Sequence, residues 1–313
     1  MALVGTINAP NDFGFKNRFI NGAMMIDQRN SGASLSFASG TSTYSLDRWI
    51  AYNSNINTFT VQQSSTAPTG FSKSLVVTNN ASATTPPASS YQLLGQRIEG
   101  YNIVDLSWGT VYAKNITVSF WAYTSQAGTY SGVLRNGGSN SRFYGFTFTL
   151  AANAWTQVTA TIPGDTSGTW ATDNSNSMEL LICLSCGSSL LGTAGVWGGA
   201  ILGITGQTQF SATGSATFYI TGVQLEKGST ATAFDYRPYG TELALCQRYY
   251  QTTKASGGYG VLTYSTAATT NQYISATSIL PVVMRTSPTL VWFDRGGVSG
   301  KVEALTSASS FNG

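Results

Sequence analysis

Alternation of apolar and polar side chains along short segments is the feature that most restricts the fold of this chain. In residues 114–123, KNITVSFWAY, every second residue from Ile116 to Ala122 is apolar, whereas Trp121 and Tyr123 have the opposite parity. Successive side chains of a β-strand point to opposite faces, so one face of this segment is expected to be core. The same period of two recurs in residues 142–150, 155–162 and 178–184. The pattern predicts half-buried strands of an antiparallel sheet.

Turn signals between these segments indicate the architecture. Loops rich in Gly, Pro, Ser and Thr separate short strand-like runs, and no βαβ spacing, heptad or internal repeat is present. We therefore expect an all-β fold, an antiparallel jelly-roll β-sandwich with an N-terminal arm and a smaller C-terminal β domain after one short helix. The expected units are an attachment or contact arm in residues 1–40, the sandwich in 41–236, a linker with the short helix in 237–250, and the C-terminal β domain in 251–313. The first of these is equally compatible with an edge strand and its turn.

The sequence predicts a β-bulge and a chain boundary between the last strand of the sandwich and the helix. The apolar positions of residues 218–225 change parity at Gly222, which is typical of a β-bulge. Pro238 holds the preceding residue extended and marks the boundary. Thr241 is expected to cap a helix that continues through Cys246, whose side chain is expected to be buried.

Composition excludes several classes of function. Charged residues make up 9% of the 313 residues, the net charge is +3, and the basic residues are scattered. We therefore expect no nucleic-acid partner, and the apolar runs are too short for membrane insertion. The chain contains no histidine, which removes the commonest zinc ligand and the usual neutral-pH general base. Cys183 and Cys186 form a C-x-x-C on a predicted strand, so we interpret them as free thiols near a β core and expect no metal or cofactor.

Several segments spread over most of the chain carry a resemblance to a known family. They are NRFINGAMMIDQRNSG, TYSLDRW, LGQRIEGYNIVDLSWGT, ITVSFWAYTS, TIPGDTSGTW, FYITGVQLEKGSTATAFDYRPYGTELALCQRYY and PVVMRTSPTL. With these motifs the chain resembles virion structural proteins of tailed bacteriophages, particularly tail fibres. The resemblance implies a non-enzymatic virion protein on the tail or head surface that attaches to host surface glycans. A head fibre or capsid decoration protein is the alternative, and a polysaccharide-degrading tailspike is a third.

The central segment is also similar to carbohydrate-binding jelly rolls of many glycoside hydrolases, through SFW, W-T-x-V and FYITGVQLE. Those modules usually have Asp in the last strand where this chain has Thr221 and Gly222, a departure that argues against their structural calcium. The resemblance to phage fibres further implies a homotrimer whose N-terminal region contacts other virion proteins.

Candidate glycan-binding residues combine an aromatic ring, which can stack on a sugar, with short polar or charged side chains. They are Gln96, Arg97, Tyr101, Asp105, Trp108, Trp170 and Trp197. For each aromatic residue the alternative is a role in the core or in anchoring a loop. Trp155 precedes a strand and is expected to close one end of the sandwich.

No catalytic residues are expected. Asp105 with Glu99, and Asp165 with Asp173, are the carboxylate pairs worth testing for glycosidase chemistry, but turn and cap roles explain them more simply. No phosphate-binding loop or nucleophile motif is present.

The region after the helix is too small to form a stable lone β domain without disulfides or metal, so it is expected to pack against other subunits. The expected contact residues are Tyr249, Tyr250, Val282, Met284, Val291 and Phe293. The alternative is that they fill a monomeric core.

Overall fold

Fifteen strands and one α-helix form in the part of the chain that the computed structural model describes, residues 16–138, 141–252 and 280–289. In chain order they are β1 (Leu35–Phe37), β2 (Ser42–Tyr44), β3 (Ile50–Ser54), β4 (Phe59–Ser64), β5 (Ser74–Asn79), β6 (Tyr91–Glu99), β7 (Ile116–Thr124), β8 (Gly128–Asn136), β9 (Phe143–Leu150), β10 (Thr156–Ile162), β11 (Asn176–Cys186), β12 (Leu191–Gly192), β13 (Trp197–Gly198), β14 (Gly203–Ile204), β15 (Thr217–Lys227) and α1 (Tyr239–Gln247). The chain divides into two units, Met1–Cys246 and Gln247–Gly313, and all fifteen strands lie in the first.

The long strands pair into two antiparallel sheets. Sheet A has the order β1-β4-β5-β15-β7-β10, and sheet B has the order β13-β9-β8-β11-β6-β3-β2. The short strands β12 and β14 form a separate parallel pair. The arrangement is an antiparallel jelly-roll β-sandwich, which confirms the predicted fold class.

The core lies between the two sheets and is built from the predicted alternation. Val118 and Phe120 of β7 face it from sheet A, and Leu134 and Leu180 face it from sheet B, each with at most 1% of its surface exposed. Since their sequence neighbours point the other way, each sheet also has an outer face.

Sheet B has a smaller apolar cluster on its outer face. It includes Val133, Leu181, Cys183 and Cys186, and side chains of residues 190–202 pack against it. Both cysteines are buried and free, which confirms their interpretation as thiols of a β core. Burial raises the pKa of the Cys183 thiol, so it stays protonated.

The predicted bulge lies in β15. The register between β15 and β7 shifts between Thr221 and Gln224, and Gly222 adopts a φ of +63°. A Cβ atom at Gly222 would lie 2.6 Å from the Phe71 ring. Glycine is therefore required by the left-handed backbone and by the close approach of an aromatic ring.

Residues 16–40, the described part of the expected arm, pack into the sandwich. Phe19 and Met24 are fully buried in the main core. The Asn17 side chain donates a 2.9 Å hydrogen bond to the Val223 carbonyl and accepts one of 3.1 Å from the Leu225 amide. The apolar residues here lack a regular period, so the sequence pattern did not predict their burial. A contact role for the N-terminal region stays a prediction.

The helix begins at Tyr239, two residues before the predicted cap. Thr241 is its third residue, and the amide of Glu242 donates to the Pro238 carbonyl at 3.1 Å. The earlier start follows from Pro238, whose fixed φ suits the residue before a helix as well as an extended boundary. Cys246 is buried as predicted. None of the described helices is long and apolar enough to cross a membrane.

The strands expected after the helix lie mainly outside the described residues. Residues 280–289 are described and consist of bends and irregular backbone, so the β structure predicted for this part of the chain is not formed there. Of the expected subunit contacts, Tyr249, Tyr250, Val282 and Met284 are half-buried, and the Gln251 side chain donates to the Val282 carbonyl at 2.8 Å. Val291 and Phe293 lie outside the described residues.

Candidate functional site

Aromatic side chains gather on the outer face of sheet A. We call this set the aromatic belt: Phe71, Trp121, Tyr123, Trp155, Tyr219, Phe234 and Tyr236. Six of the rings are half-buried, and Tyr236 is 58% exposed. Large rings that are neither covered by the core nor scattered singly are the usual sign of a binding surface.

Strand register explains one half of the belt. Tyr219 of β15 lies opposite Tyr123 of β7, and Thr156 of β10 lies opposite Ala122, so the Trp155 ring lies next to both tyrosines. The ring centroids of Tyr123 lie 5.6 Å from Trp155 and 5.3 Å from Tyr219. Three rings from adjacent chain segments thus lie next to one another across the sheet.

The other half comes from two connecting segments. Phe71 follows β4, and Phe234 and Tyr236 follow β15, which brings the two segments together over the bulge. The Phe71 centroid lies 5.2 Å from that of Phe234 and 5.5 Å from that of Tyr236. Burial raises the pKa of the Tyr236 phenol, and the hydroxyl donates to the Gly70 carbonyl, which fixes the ring.

A cavity of about 170 Å³ opens between Trp121 and the Phe71 group. Its polar side chains are Thr69, Ser119, Gln157 and Thr232. Sites for drug-sized ligands usually have about 300 Å³ or more. The cavity therefore suits one ring or substituent of a longer molecule.

The tryptophans predicted from sequence come together at one end of the sandwich. The centroid of Trp108 lies 4.6 Å from Trp170 and 5.5 Å from Trp197, and the rings meet edge to face. The indole N–H of Trp108 donates to the Lys114 carbonyl, and that of Trp170 donates to Asp165. The indole N–H of Trp197 donates to the Pro163 carbonyl. Trp108 and Trp170 are each only 7% exposed. Trp108 and Trp170 therefore hold the loops together, whereas Trp197 is half-buried, and its role as a glycan contact stays a prediction.

A second cavity, of about 270 Å³, lies beside this tryptophan cluster. Ile103, Val104, Trp108, Tyr112 and Trp170 are among its lining residues. Tyr112 is 72% exposed, and Tyr101, the predicted aromatic contact, is 62% exposed. Since the exposed Tyr112 ring lines this cavity, this end of the sandwich is a second candidate surface.

The polar residues predicted with the tryptophans do not form one site. Gln96 is buried, and its amide group exchanges hydrogen bonds of 2.8 and 2.9 Å with the backbone of Ile20, so it holds the N-terminal segment. Asp105 forms a two-pronged ion pair with Arg18, at 2.7 and 2.8 Å. Arg97 points to the outer face of sheet B and binds Glu179. The prediction that Gln96 contacts a glycan is incompatible with this burial.

The carboxylates considered for catalysis are engaged in structural contacts. Asp165 is 1% exposed and accepts hydrogen bonds of 2.6 and 2.8 Å from Arg142. Asp173 accepts the Ser175 amide, and hydrogen bonds from Ser175 lower its pKa. Glu99 is 4% exposed. Within residues 16–138, 141–252 and 280–289, no group of three or more His, Cys, Asp or Glu side chains could hold a metal ion.

Sequence reasoning missed the aromatic belt, although one signal for it was present. Trp121 and Tyr123 alternate with core residues on β7, so their parity places them on the outer face. The expectation that Trp155 closes the sandwich end was wrong, because its ring packs on Tyr123 and Tyr219 instead. The neighbours of Trp155 depend on strand order, which a pattern along one strand cannot supply.

No protein-family model and no curated protein matches the chain. Solved structures similar to it include the enzymatically active domain of tailspike protein 4 from bacteriophage CBA120, at 11% identity and a TM-score of 0.34, covering 67% of this chain and 21% of that one. A family 11 carbohydrate-binding module from Clostridium thermocellum, in complex with a β-1,3-1,4-mixed-linked tetrasaccharide, has 12% identity and a TM-score of 0.33, with 63% of this chain and 98% of that chain covered. The CBM22-1 xylan-binding domain of Paenibacillus barcinonensis Xyn10C has 11% identity and a TM-score of 0.31, with coverage of 64% and 99%. Similarity at this level is too distant to carry an argument about function.

Proposed function

We propose that this protein is a non-enzymatic, glycan-binding attachment protein of a bacteriophage particle, of the tail-fibre kind. The observation that carries the glycan-binding part is the aromatic belt, where rings from adjacent strands lie half-exposed on an outer sheet face beside a small polar cavity. The virion part is supported by the sequence motifs that resemble phage structural proteins.

The belt has the chemistry that sugar binding requires. A pyranose has an apolar face of C–H groups and a rim of hydroxyls, so it stacks on an aromatic ring and hydrogen-bonds to its surroundings. Tyr123, Trp155 and Tyr219 supply adjacent rings, and Gln157 and Thr232 supply polar groups at the cavity. Since the rings are held by a sheet and by one another, little conformational entropy is lost on binding.

Affinity electrophoresis through gels containing neutral polysaccharides tests this site. We expect retardation of the wild-type protein by at least one of xylan, mixed-linkage β-glucan, galactan or mannan. Trp155→Ala should abolish it. Tyr101→Ala removes an exposed ring elsewhere and is the matched control. If Tyr101→Ala abolished retardation and Trp155→Ala left it intact, the tryptophan-cluster end would be the binding surface instead.

The proposal that the protein is not an enzyme is supported by the ion pairs of its carboxylates. A glycosidase needs a general acid that stays protonated near neutral pH. Asp105 is paired with Arg18, and Arg18 and Lys227 lower its pKa, while Asp165 is buried and held by Arg142. Purified protein should release no reducing ends from any polysaccharide that it binds, and release above the background of a heated sample would favour the tailspike alternative.

Antibody labelling of intact particles tests the virion assignment. We expect gold-labelled antibody against this chain to decorate the tail in negative-stain images. Label over the capsid would favour a head fibre or decoration protein. Particles without label would contradict a virion role.

A further inference from the structure

A row of alternating charges crosses the outer face of sheet B. Arg135 of β8 lies opposite Glu179 of β11, and Glu179 lies opposite Arg97 of β6. Because the three strands are adjacent, register alone brings one carboxylate between two guanidinium groups. These side chains alternate with core residues, so they lie on the face of sheet B that points away from the aromatic belt.

The Glu179 carboxylate is fully occupied. It is 1% exposed, and Oε2 accepts from Arg135 Nε at 2.8 Å and from Arg135 Nη2 at 2.5 Å. Oε1 accepts the Tyr52 hydroxyl at 2.5 Å and Arg97 Nε at 3.2 Å. Burial and the Glu179 charge both raise the pKa of Tyr52, so the phenol remains a donor.

Glu179 accepts only some of the hydrogen bonds that the two guanidinium groups can donate. Arg97 donates through Nε to Glu179 and through Nη2 to the Tyr52 oxygen at 3.0 Å, and its side chain is 40% exposed. Arg135 is 18% exposed. No acceptor in the described residues takes a hydrogen bond from Nη1 of either arginine. The cluster thus has two positive charges for one negative charge, and an exposed guanidinium edge.

Two other charged clusters in the described residues differ from this one in how their carboxylates are used. Arg142 and Asp165 form a one-to-one pair in which both guanidinium donors meet the same carboxylate. Arg18 and Lys227 also share one carboxylate, but Asp105 is itself 52% exposed and available to water. Arg97 instead pairs with the buried Glu179 carboxylate, which fixes the orientation of the arginine. The exposed part of the guanidinium group remains open to an anion from solution.

We propose that Arg97 and Arg135 form a binding site for the carboxylate of an acidic glycan, of the uronic-acid class. The planar guanidinium edge of Arg97 matches the two oxygens of a carboxylate, and Glu179 and Tyr52 fix its orientation before the ligand arrives. The choice of a sugar as carrier rests on the proposed glycan-binding function. The site itself is separate from the belt, so the two can be tested independently.

Calorimetric titration with trigalacturonate, and with its methyl ester as a neutral ligand of the same shape, tests the site. We expect the acid to bind about tenfold or more tightly than the ester, and salt to weaken the binding of the acid only. Arg97→Gln should reduce the affinity for the acid to that for the ester. Arg97→Lys keeps the positive charge but loses the planar group that can donate two parallel hydrogen bonds to a carboxylate, so it should have an intermediate affinity.

Lys227→Gln is the matched control. Lys227 and Arg18 share the Asp105 carboxylate, so this variant also removes one positive charge from a cluster of two cations and one carboxylate. It should leave the affinity for trigalacturonate unchanged. Equal losses in Arg97→Gln and Lys227→Gln, or equal affinities for acid and ester, would overturn the proposal. Binding of hexaglutamate as tight as that of trigalacturonate would overturn the assignment to a glycan. Thermal unfolding of each variant checks that it is folded, and Glu179 keeps Arg135 and Tyr52 as partners in Arg97→Gln.

Failure of this site is distinguishable from failure of the proposed function. Loss of neutral-polysaccharide binding in Trp155→Ala reports on the belt alone. If the belt binds neutral glycans but Arg97→Gln changes nothing, only the acidic site is wrong. If trigalacturonate binds through Arg97 but no neutral polysaccharide is retained, only the role of the belt is wrong.

Discussion

Tyr219 lies directly opposite Tyr123 in the β15–β7 pair, with ring centroids 5.3 Å apart and ring planes at 90°. Both rings are on the outer face of sheet A, and both are half-buried. Each ring therefore stabilises the position of the other while part of its surface remains in water. A surface of this kind is ordered before a ligand binds, which makes the effect of removing one ring predictable.

Replacing Tyr219 with Ala should weaken binding of the retained neutral polysaccharide by about 5- to 30-fold, equivalent to about 1–2 kcal/mol. The physical reason is the loss of one stacking ring and of the edge that orients Tyr123. Tyr219→Phe keeps the ring and should bind nearly as well as wild type. Titration calorimetry measures both, and equal losses in the two variants would assign the effect to the hydroxyl.

Replacing Phe120 with Asp should lower the free energy of unfolding by about 3–5 kcal/mol. Phe120 is 1% exposed and meets Phe148 edge to face at 5.2 Å, so the new carboxylate would be buried without a partner. Thr159→Asp on the exposed side of β10 is the control, with an expected change within about 0.5 kcal/mol. Urea denaturation measures the difference, and an unchanged midpoint for Phe120→Asp would mean that the inward face of β7 is wrongly assigned.

Replacing Arg237 with Gln should destabilise the sandwich by about 3 kcal/mol, because it leaves a largely buried carboxylate without its cation. Arg237 Nη1 lies 3.1 Å from Glu242 Oε2, and the two side chains are 4% and 13% exposed. Arg237 also donates to the Asn17 and Phe19 carbonyls, so it joins the N-terminal segment to the helix. Lys227→Gln, in a pair exposed by 46% and 52%, should cost less than about 1 kcal/mol.

Hydrogen exchange gives a second measure of the Arg237 contact. The amide of Asn21 donates to Glu242 Oε1, so we expect faster exchange at Asn21 in Arg237→Gln than in Lys227→Gln. Equal exchange in the two variants would show that the N-terminal segment is held without this ion pair.

Stability should fall as the pH rises above about 8.5, the ordinary pKa of an unfolded thiol, by up to about 1.4 kcal/mol per pH unit for Cys246. Burial, and next the Asp47 carboxylate, raise the pKa of the Cys246 thiol in the folded protein. The folded state then holds a proton that the unfolded state has lost, so the stabilisation is complete below pH 8.5 and declines above it. Denaturation midpoints from pH 7 to 10 should decline less in Cys246→Ala, and parallel curves would exclude a contribution from this thiol.

We expect the purified chain to be a homotrimer in light-scattering measurements at micromolar concentration. The need for a partner comes from the small apolar region after the helix, and the number three from the resemblance to phage fibres. Val282→Asp should weaken assembly because it places a charge at an expected contact residue, whereas Val283→Asp, at an exposed position outside the expected contact, should not. A monodisperse monomer with residues 251–313 protected from protease would contradict both the trimer and its argument.

The sequence alone determined the strand faces of the sandwich. Alternation from Ile116 to Ala122 predicted which side chains of β7 are buried, and the change of parity at Gly222 predicted the bulge of β15. Both features are local, because the direction of a strand side chain depends only on its position along the strand.

The composition of both candidate sites was decided only by the tertiary structure. Arg97 was a candidate from its neighbours in sequence, yet its partners Glu179 and Arg135 are 82 and 38 residues away and meet it through strand order. Trp155 was assigned to the sandwich end, and it joins Tyr123 and Tyr219 because β10, β7 and β15 are adjacent. Periodicity specifies the face on which a side chain lies, but its neighbours on that face depend on which strands pair and in which register, and these result from burying the whole core at once.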